Sequence, residues 1–254
     1  MKINFMGMSI DATNTEMMAE QLMRRLSRGK TSIVFTPNAV MSERARKDES
    51  FRKTLMQADF RVPDGMGVVL AARLLGLPIR ERVPGIELGE KVIAQLSKIG
   101  GRVYFLGGAP GVATRAAQEM CRKYPGLTVS GTHHGYFSDK DSAAICRRIA
   151  HTRPHFLAVC LGSPRQEEWV ALHKSELSAI PIIMALGGSL DVWSGNLRRA
   201  PLPFRKTGLE WLWRMLRQPH RFKDAPAILS LLFAAARVGA IDKKRTASTA
   251  VRHF

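Results

Sequence analysis

The chain has 254 residues, 45% of them hydrophobic, and 39 Lys and Arg stand against 21 Asp and Glu for a formal net charge of +18. That much apolar material builds a core and excludes a disordered, collagen-like or mucin-like chain. The length fits one α/β domain plus an extension, or two small domains. The positive excess predicts attraction to anions, whether phosphates, nucleic acid or an acidic membrane surface, and says nothing about fold. Cys121, Cys146 and Cys160 stand far apart with no C-x-x-C pair. This spacing favours a reducing cytosol over a disulfide framework or a zinc knuckle. Asp11 and Glu16 break up the N-terminus, so no secretory signal is expected. The nearest approach to a spanning helix, residues 225–236, stops at Arg237. A spanning helix needs about 18–20 apolar residues, so a soluble or peripheral protein is expected.

In chain order, the run 32–35 predicts a short buried strand and 39–47 a helix. A shorter strand over 60–63 ends in Asp64-Gly65, and a helix over 66–75 is stopped by Gly76 with Pro78 beyond it. A strand over 102–106 ends in Gly107-Gly108, and the helix 110–123 is stopped by Pro125-Gly126. There follow a strand over 127–130, a helix over 139–150 with Ser138 as N-cap, a strand over 156–161, a helix over 164–177 and a strand over 182–186. Strands alternating with helices predict an α/β fold with a Rossmann-like, mostly parallel sheet flanked by helices. Ligands of such sheets lie beyond the carboxyl ends of the strands. Thr36-Pro37-Asn38, Asp64-Gly65, Gly107-Gly108, Gly162-Ser163-Pro164 and Gly187-Gly188 each follow a strand at that end, which predicts one composite site.

After Gly195 the composition changes. Residues 196–254 hold 13 Lys and Arg and only 3 Asp and Glu, so +10 of the +18 lies there. Leu209, Leu212, Trp213 and Leu216 share one helical face, with Arg214, Arg217 and Arg221 beside it. For the first helix alone this basic, aromatic, amphipathic pattern suits a membrane surface and a cap packed on the sheet equally, and the excess charge tips the whole segment toward an anionic surface. The expected organisation is a core over 1–195, a basic helical appendage over 196–242 and a disordered tail over 243–254.

Among single residues, Asp64 in its Pro-Asp-Gly turn is the first candidate for a general base, with Gly65 allowing a ligand close. Taken alone, it reads first as a turn aspartate capping the helix at Met66, and the base reading gains weight only with its neighbours. Thr36 and Asn38 offer a hydroxyl and an amide at the neighbouring strand end. Gly107-Gly108-Ala109-Pro110-Gly111 resembles a nucleotide-binding turn whose N–H groups favour a diphosphate. It does not fit G-x-G-x-x-G, and no acidic ribose ligand follows it, which disfavours a dinucleotide dehydrogenase. Asp139-Lys140-Asp141 is a D-x-D sequence, but two acids after Ser138 also complement a helix start. His133-His134 lacks a third ligand nearby, so no metal is expected. Pro164 opens a helix in which Gln166 is placed to hydrogen-bond a sugar or base, with Glu167 beside it.

The ordered series T-P-N, P-D-G-M-G, E-R-V-P-G, F-L-G-G-x-P-G-V, H-G-Y-F, L-G-S-P-R-Q-E-x-W, G-G-S-L-D, R-R-A-P and L-E-W-L-W-R-M-L-x-x-P-x-R resembles the WecG/TagA/CpsF glycosyltransferases (glycosyltransferase family 26) over roughly residues 30–221. The resemblance implies an inverting, metal-independent enzyme that takes a sugar from a UDP-sugar. The usual donor is UDP-N-acetylmannosamine or its uronic acid, with glucose and glucuronic acid also open. It implies a polyprenyl diphosphate-linked saccharide as acceptor, no cofactor, and a cytoplasmic, peripheral location on the anionic inner face of the cell membrane. By match to the motifs, Asp64 is the catalytic base and Thr36 its catalytic partner. Asn38, Gly65, Gly107, Gly108, Gln166, Glu167, Gly187 and Gly188 line the substrate site, and Arg214 and Arg221 stabilise the leaving diphosphate. Three positions depart from the family pattern: Ala39-Val40 after T-x-N, His134 before G-Y-F, and Asp224 three residues after Arg221. A basic nucleic-acid-binding α/β protein is the alternative, motivated by charge alone and predicting steep salt dependence. The resemblance implies no nucleic-acid partner, and self-association is left open.

Overall fold

The computed structural model describes the backbone of residues 1–217 and 219–251, and their side chains except those at 206, 214, 220, 221 and 242–251. It opens with an antiparallel hairpin of β1 (Lys2–Phe5) and β2 (Met8–Asp11). Next come α1 (Thr15–Ser27), β3 (Ser32–Phe35), α2 (Ala39–Lys47), α3 (Glu49–Met56), β4 (Phe60–Arg61), α4 (Met66–Leu74) and α5 (Gly85–Ser97). The chain continues through β5 (Arg102–Gly107), α6 (Val112–Lys123), β6 (Thr128–His133), α7 (Ser142–Thr152), β7 (Phe156–Cys160), α8 (Arg165–Leu172), β8 (Ile182–Ala185) and α9 (Ser189–Trp193). The last elements are α10 (Leu202–Lys206), α11 (Glu210–Arg217), a 3-10 turn over Pro219–Asp224 and α12 (Ala225–Val251).

The main sheet has the order β4-β3-β8-β7-β5-β6, and every pair in it is parallel. The chain enters at β3, steps out to β4, crosses to β5 and β6 at the far edge, and returns through β7 to set β8 in the centre. The expected α/β, Rossmann-like architecture is therefore the one observed. Strands covered by helices on both faces are buried at every position, as β3, β7 and β8 are. Alternate residues feed two cores. Ile33, Phe35, Leu157 and Ile183 meet α2, α4 and α12 on one side, while Val34, Phe156, Ala158 and Met184 meet α5 and α6 on the other.

The N-terminal hairpin is fastened beside β4 by Arg61, which is 2% exposed. Its guanidinium donates to the Ser9 carbonyl at 2.6 Å and the Ser9 hydroxyl at 2.8 Å, and its backbone N–H donates to Asp11 Oδ2 at 2.9 Å. Burial raises the Asp11 pKa and lowers that of Arg61, while their mutual attraction opposes both shifts.

Several expected boundaries move for local reasons. The helix expected from 110 starts at Val112, because Gly111 is left-handed at φ 84° and sits at the cap. The one expected from 139 begins as a 3-10 turn, where Ser138 and Asp141 close a capping box before α7. The helix expected to 177 ends at Leu172.

α12 lies across α2 and α4. Ile228, Leu231, Leu232 and Ala235 join the core, and the Ser230 hydroxyl donates to Glu43 Oε1 at 2.6 Å. Gly239 passes so close to α4 that a Cβ would stand 2.1 Å from the Leu74 carbonyl oxygen. Residues Phe222–Ile241 are long and apolar enough to cross a membrane by length and composition, with a mean hydropathy of 1.5. This corrects the expectation that no window reaches that limit: Arg237 interrupts the apolar run without ending it. The helix backbone continues through residue 242, where the appendage is expected to end, to Val251. Lys243, Lys244, Arg245 and Ala247 are all good helix formers.

Candidate active site

All five expected turns lie along one edge of the sheet, at the carboxyl ends of β3, β4, β5, β7 and β8, and hydrogen bonds stitch neighbouring turns together. Thr36 follows β3 and is 8% exposed; its hydroxyl donates to the Ala185 carbonyl at the end of β8 at 3.4 Å. Asn38 is exposed at the start of α2, where its Oδ1 accepts from the Met41 N–H at 3.0 Å. The amide oxygen therefore caps α2, and the NH2 group is the donor that the exposed side chain can offer a ligand.

Asp64 is half-buried after β4, and its N–H donates to the Pro37 carbonyl at 3.0 Å. Its Oδ2 accepts from the N–H of Gly85, the first residue of α5, at 3.3 Å. Gly85 also lies against Thr36, since a Cβ there would stand 3.1 Å from the Thr36 side chain. A carboxylate and a hydroxyl thus converge on one helix N-terminus. Beyond Asp64, Gly65 caps α4 beside open space.

The middle of the edge is built differently from expectation. Gln166 is 3% exposed: its Oε1 accepts from the Gly187 N–H at 2.9 Å, and its Nε2 donates to Glu167 Oε1 at 2.6 Å. Glu167 is fully buried behind it, with Oε2 free of a protein partner. Desolvation pushes its carboxyl up to about 7, against the opposing bond from Gln166. These two residues form a strut between the loops after β7 and β8, with Glu167 behind the site and not on its surface.

At the next strand, Gly107 has φ 135°, and a Cβ would lie 2.1 Å from the Cys160 carbonyl oxygen, so only glycine fits. The Gly108 N–H donates to that carbonyl at 3.3 Å, and its own carbonyl accepts from Gly135 at 2.8 Å. Arg165 holds the 135–137 loop, donating to the carbonyls of Gly135 at 2.6 Å and Phe137 at 2.7 Å. Gly187 and Gly188 lead into α9, where Asp191 is half-buried and its pKa is raised by that burial. Gly85 and Asp191 were not singled out in the sequence, although E-R-V-P-G and G-G-S-L-D carried the signal.

Asp141 is engaged by the Ser138 hydroxyl at 2.7 Å, which gives the second acid of D-x-D a capping role. Among the described residues no group of three or more His, Cys, Asp or Glu side chains gathers to hold a metal. Arg214 and Arg221 fall in α11 and in the following 3-10 turn, and their side chains lie outside the described residues. A cleft of about 640 Å3 beside α12, lined by residues such as Met6, Arg46 and Phe233, shares none of its lining with these turns.

The family model "Glycosyl transferase WecG/TagA/CpsF family" matches residues 3–245. The chain belongs to the WecG/TagA/CpsF glycosyltransferase family. A Staphylococcus aureus protein is 31% identical over 242 residues, covering 93% of this chain and 94% of its own length. A Bacillus spizizenii protein is 31% identical over 214 residues, covering 84% of this chain and 82% of its own. Both relatives are named N-acetylglucosaminyldiphosphoundecaprenol N-acetyl-beta-D-mannosaminyltransferase. In this WecG/TagA/CpsF glycosyltransferase the motif residues Thr36, Asp64, Gly107, Gln166 and Gly187 all belong to the carboxyl edge. The bonds from Thr36 to Ala185, Gln166 to Gly187 and Gly108 to Cys160 make that edge one continuous site.

Proposed function

We propose that this glycosyltransferase moves a hexose-type sugar from a UDP-sugar to a polyprenyl diphosphate-linked saccharide, with inversion, in the synthesis of a bacterial cell-surface or exopolysaccharide. N-acetylmannosamine, its uronic acid, glucose and glucuronic acid are the candidate sugars. The observation that carries the reading is the convergence of Asp64 and Thr36 on Gly85 at the carboxyl edge, in a chain whose relatives are named for transfer to a diphosphoundecaprenol-linked sugar.

Asp64 takes the proton of the acceptor hydroxyl as that oxygen attacks the anomeric carbon. The new glycosidic bond forms as the bond to the diphosphate breaks, and UDP departs with the electron pair. Thr36 holds the reacting sugar beside Asp64. The N–H groups at the start of α6 and the arginines of the appendage take up the diphosphate charge, so no metal is called for. The Gln166 strut keeps the loops of β7 and β8 at fixed spacing around the donor.

The acceptor lipid sets the location: peripheral, on the cytoplasmic face of the membrane. Trp211, Leu216, Phe222, Leu229 and Phe233 are exposed large apolar side chains in a segment of net positive charge. That combination supports docking on an anionic bilayer.

The test offers a panel of UDP-sugars with a short-chain polyprenyl diphosphate-linked saccharide, read by mass spectrometry with and without chelator. Transfer of one sugar that survives the chelator is the expected result. Absence of both transfer and thermal stabilisation by UDP would refute the reading and return the +18 charge to nucleic-acid binding.

A further inference from the structure

We infer that Glu210 is a positioning residue whose carboxylate seats the appendage on the same short segment that supports Asp64. Glu210 opens α11 and is 7% exposed. Its Oε2 accepts from Arg82 Nη1 at 3.1 Å, and its Oε1 accepts from Arg199 Nε at 3.3 Å. Arg82 also donates through Nη2 to the Arg205 carbonyl in α10 at 2.8 Å, and Arg199 Nη2 donates to Glu87 in the first turn of α5. Among the described residues, two guanidiniums and two carboxylates thus gather in one cluster in which Arg82, Arg199 and Glu210 are largely out of water. Burial acts to lower the Arg199 pKa, and Glu210 and Glu87 outweigh it and leave it raised. Taking one carboxylate from such a set leaves a buried guanidinium uncompensated, so its members depend on one another.

The position of Arg82 makes this more than a fold contact. One residue on, the Val83 N–H donates to the Pro63 carbonyl at 2.7 Å, and two further on the Gly85 N–H donates to Asp64 Oδ2 at 3.3 Å. Residues 82–87 therefore hold Glu210 and Arg199 through Arg82 and Glu87, and hold the Pro63-Asp64 turn between them. Seating the appendage and aiming Asp64 draw on one support. The catalytic half of this inference rests on the transfer reading above; the structural half does not.

Hydrogen–deuterium exchange on the full chain, wild type against Glu210→Gln, tests the structural half. Exchange over 201–217 and over 82–88 is expected to rise together, by about tenfold or more, while the central strands keep their protection. A rise confined to 201–217, or no rise, overturns the inference. Arg199→Gln removes one arm only and is expected to give a smaller rise in both segments, which keeps the test open if Glu210→Gln does not fold. In a transfer assay, Glu210→Gln is expected to lower kcat about tenfold with the Kd for UDP unchanged within about twofold. Unchanged kcat overturns the positioning role even where exchange has risen. If the wild type turns over no UDP-sugar, that failure belongs to the transfer reading, and the exchange result still supports or refutes the seating.

Discussion

The side-chain carbonyl of Gln166 accepts a hydrogen bond from the backbone N–H of Gly187 at 2.9 Å, tying the first turn of α8 to the loop after β8. Gln166→Ala removes this tie and also strips the buried Glu167 of its amide donor. The expected cost is about 2–3 kcal/mol of stability, since buried polar groups are left unpaired. Urea unfolding checks the value, and a change under about 0.5 kcal/mol would mean that the strut does not hold the loops.

Glu167 predicts a pH dependence with a definite sign. Burial raises its carboxyl from 4.5 to about 7, so between those values the folded chain holds a proton that the unfolded chain has lost. Stability is therefore unaffected by this group below 4.5, falls as pH rises toward 7, and stays lower above it. Glu167→Gln removes the ionisation while keeping the shape. Relative to wild type, the variant is expected to gain up to about 3 kcal/mol between the two ends of that window. Parallel stability curves would show that Glu167 is not neutralised by burial.

Gly107→Ala is expected to be the most damaging single methyl in the site. The added Cβ meets the Cys160 carbonyl oxygen at 2.1 Å, on a backbone held at φ 135°. Relief requires β5 to move from β7, and the cost expected is about 3 kcal/mol or more. Thermal unfolding reads it directly, and a loss of under about 1 kcal/mol would contradict the close approach.

Much of this site is legible in the sequence because its turns are local. Short β-branched runs followed by Thr-Pro-Asn, Pro-Asp-Gly or Gly-Gly mark strand ends without reference to the rest of the chain. The strand over 32–35 and the helix over 39–47 accordingly fall where expected. What is not legible is set at a distance. α5 has no capping side chain of its own at Pro84, and the N–H of Gly85 is satisfied by Asp64, far back in the chain. The β1–β2 hairpin is held beside β4 by the buried Arg61, a residue that looks like ordinary surface charge. Gln166 and Glu167 read as substrate-facing residues at a helix start, whereas the fold buries both and bonds Gln166 to the loop after β8. In the cluster around Glu210, Arg82, Arg199 and Glu210 come from three separate motifs and Glu87 from outside them, so no local pattern announces it.

The outer face of α12 predicts a membrane effect. Leu229 and Phe233 are 66% and 73% exposed, so replacing both with aspartate removes apolar surface without opening the core. Binding to vesicles containing phosphatidylglycerol is expected to weaken about tenfold or more, with the unfolding midpoint nearly unchanged. Equal vesicle binding by variant and wild type would place the docking surface elsewhere.

The account turns on the carboxylate of Asp64, anchored by the Gly85 N–H and aimed at the edge where the five turns meet. The most direct measurement compares the transfer rate of wild type and Asp64→Asn on a lipid-linked acceptor, with UDP binding measured on both. Loss of a general base predicts a fall of about 10²–10⁴-fold in kcat, with the Kd for UDP and the unfolding midpoint close to wild type. An Asp64→Asn protein that folds, binds UDP and transfers sugar at the wild-type rate would contradict the account.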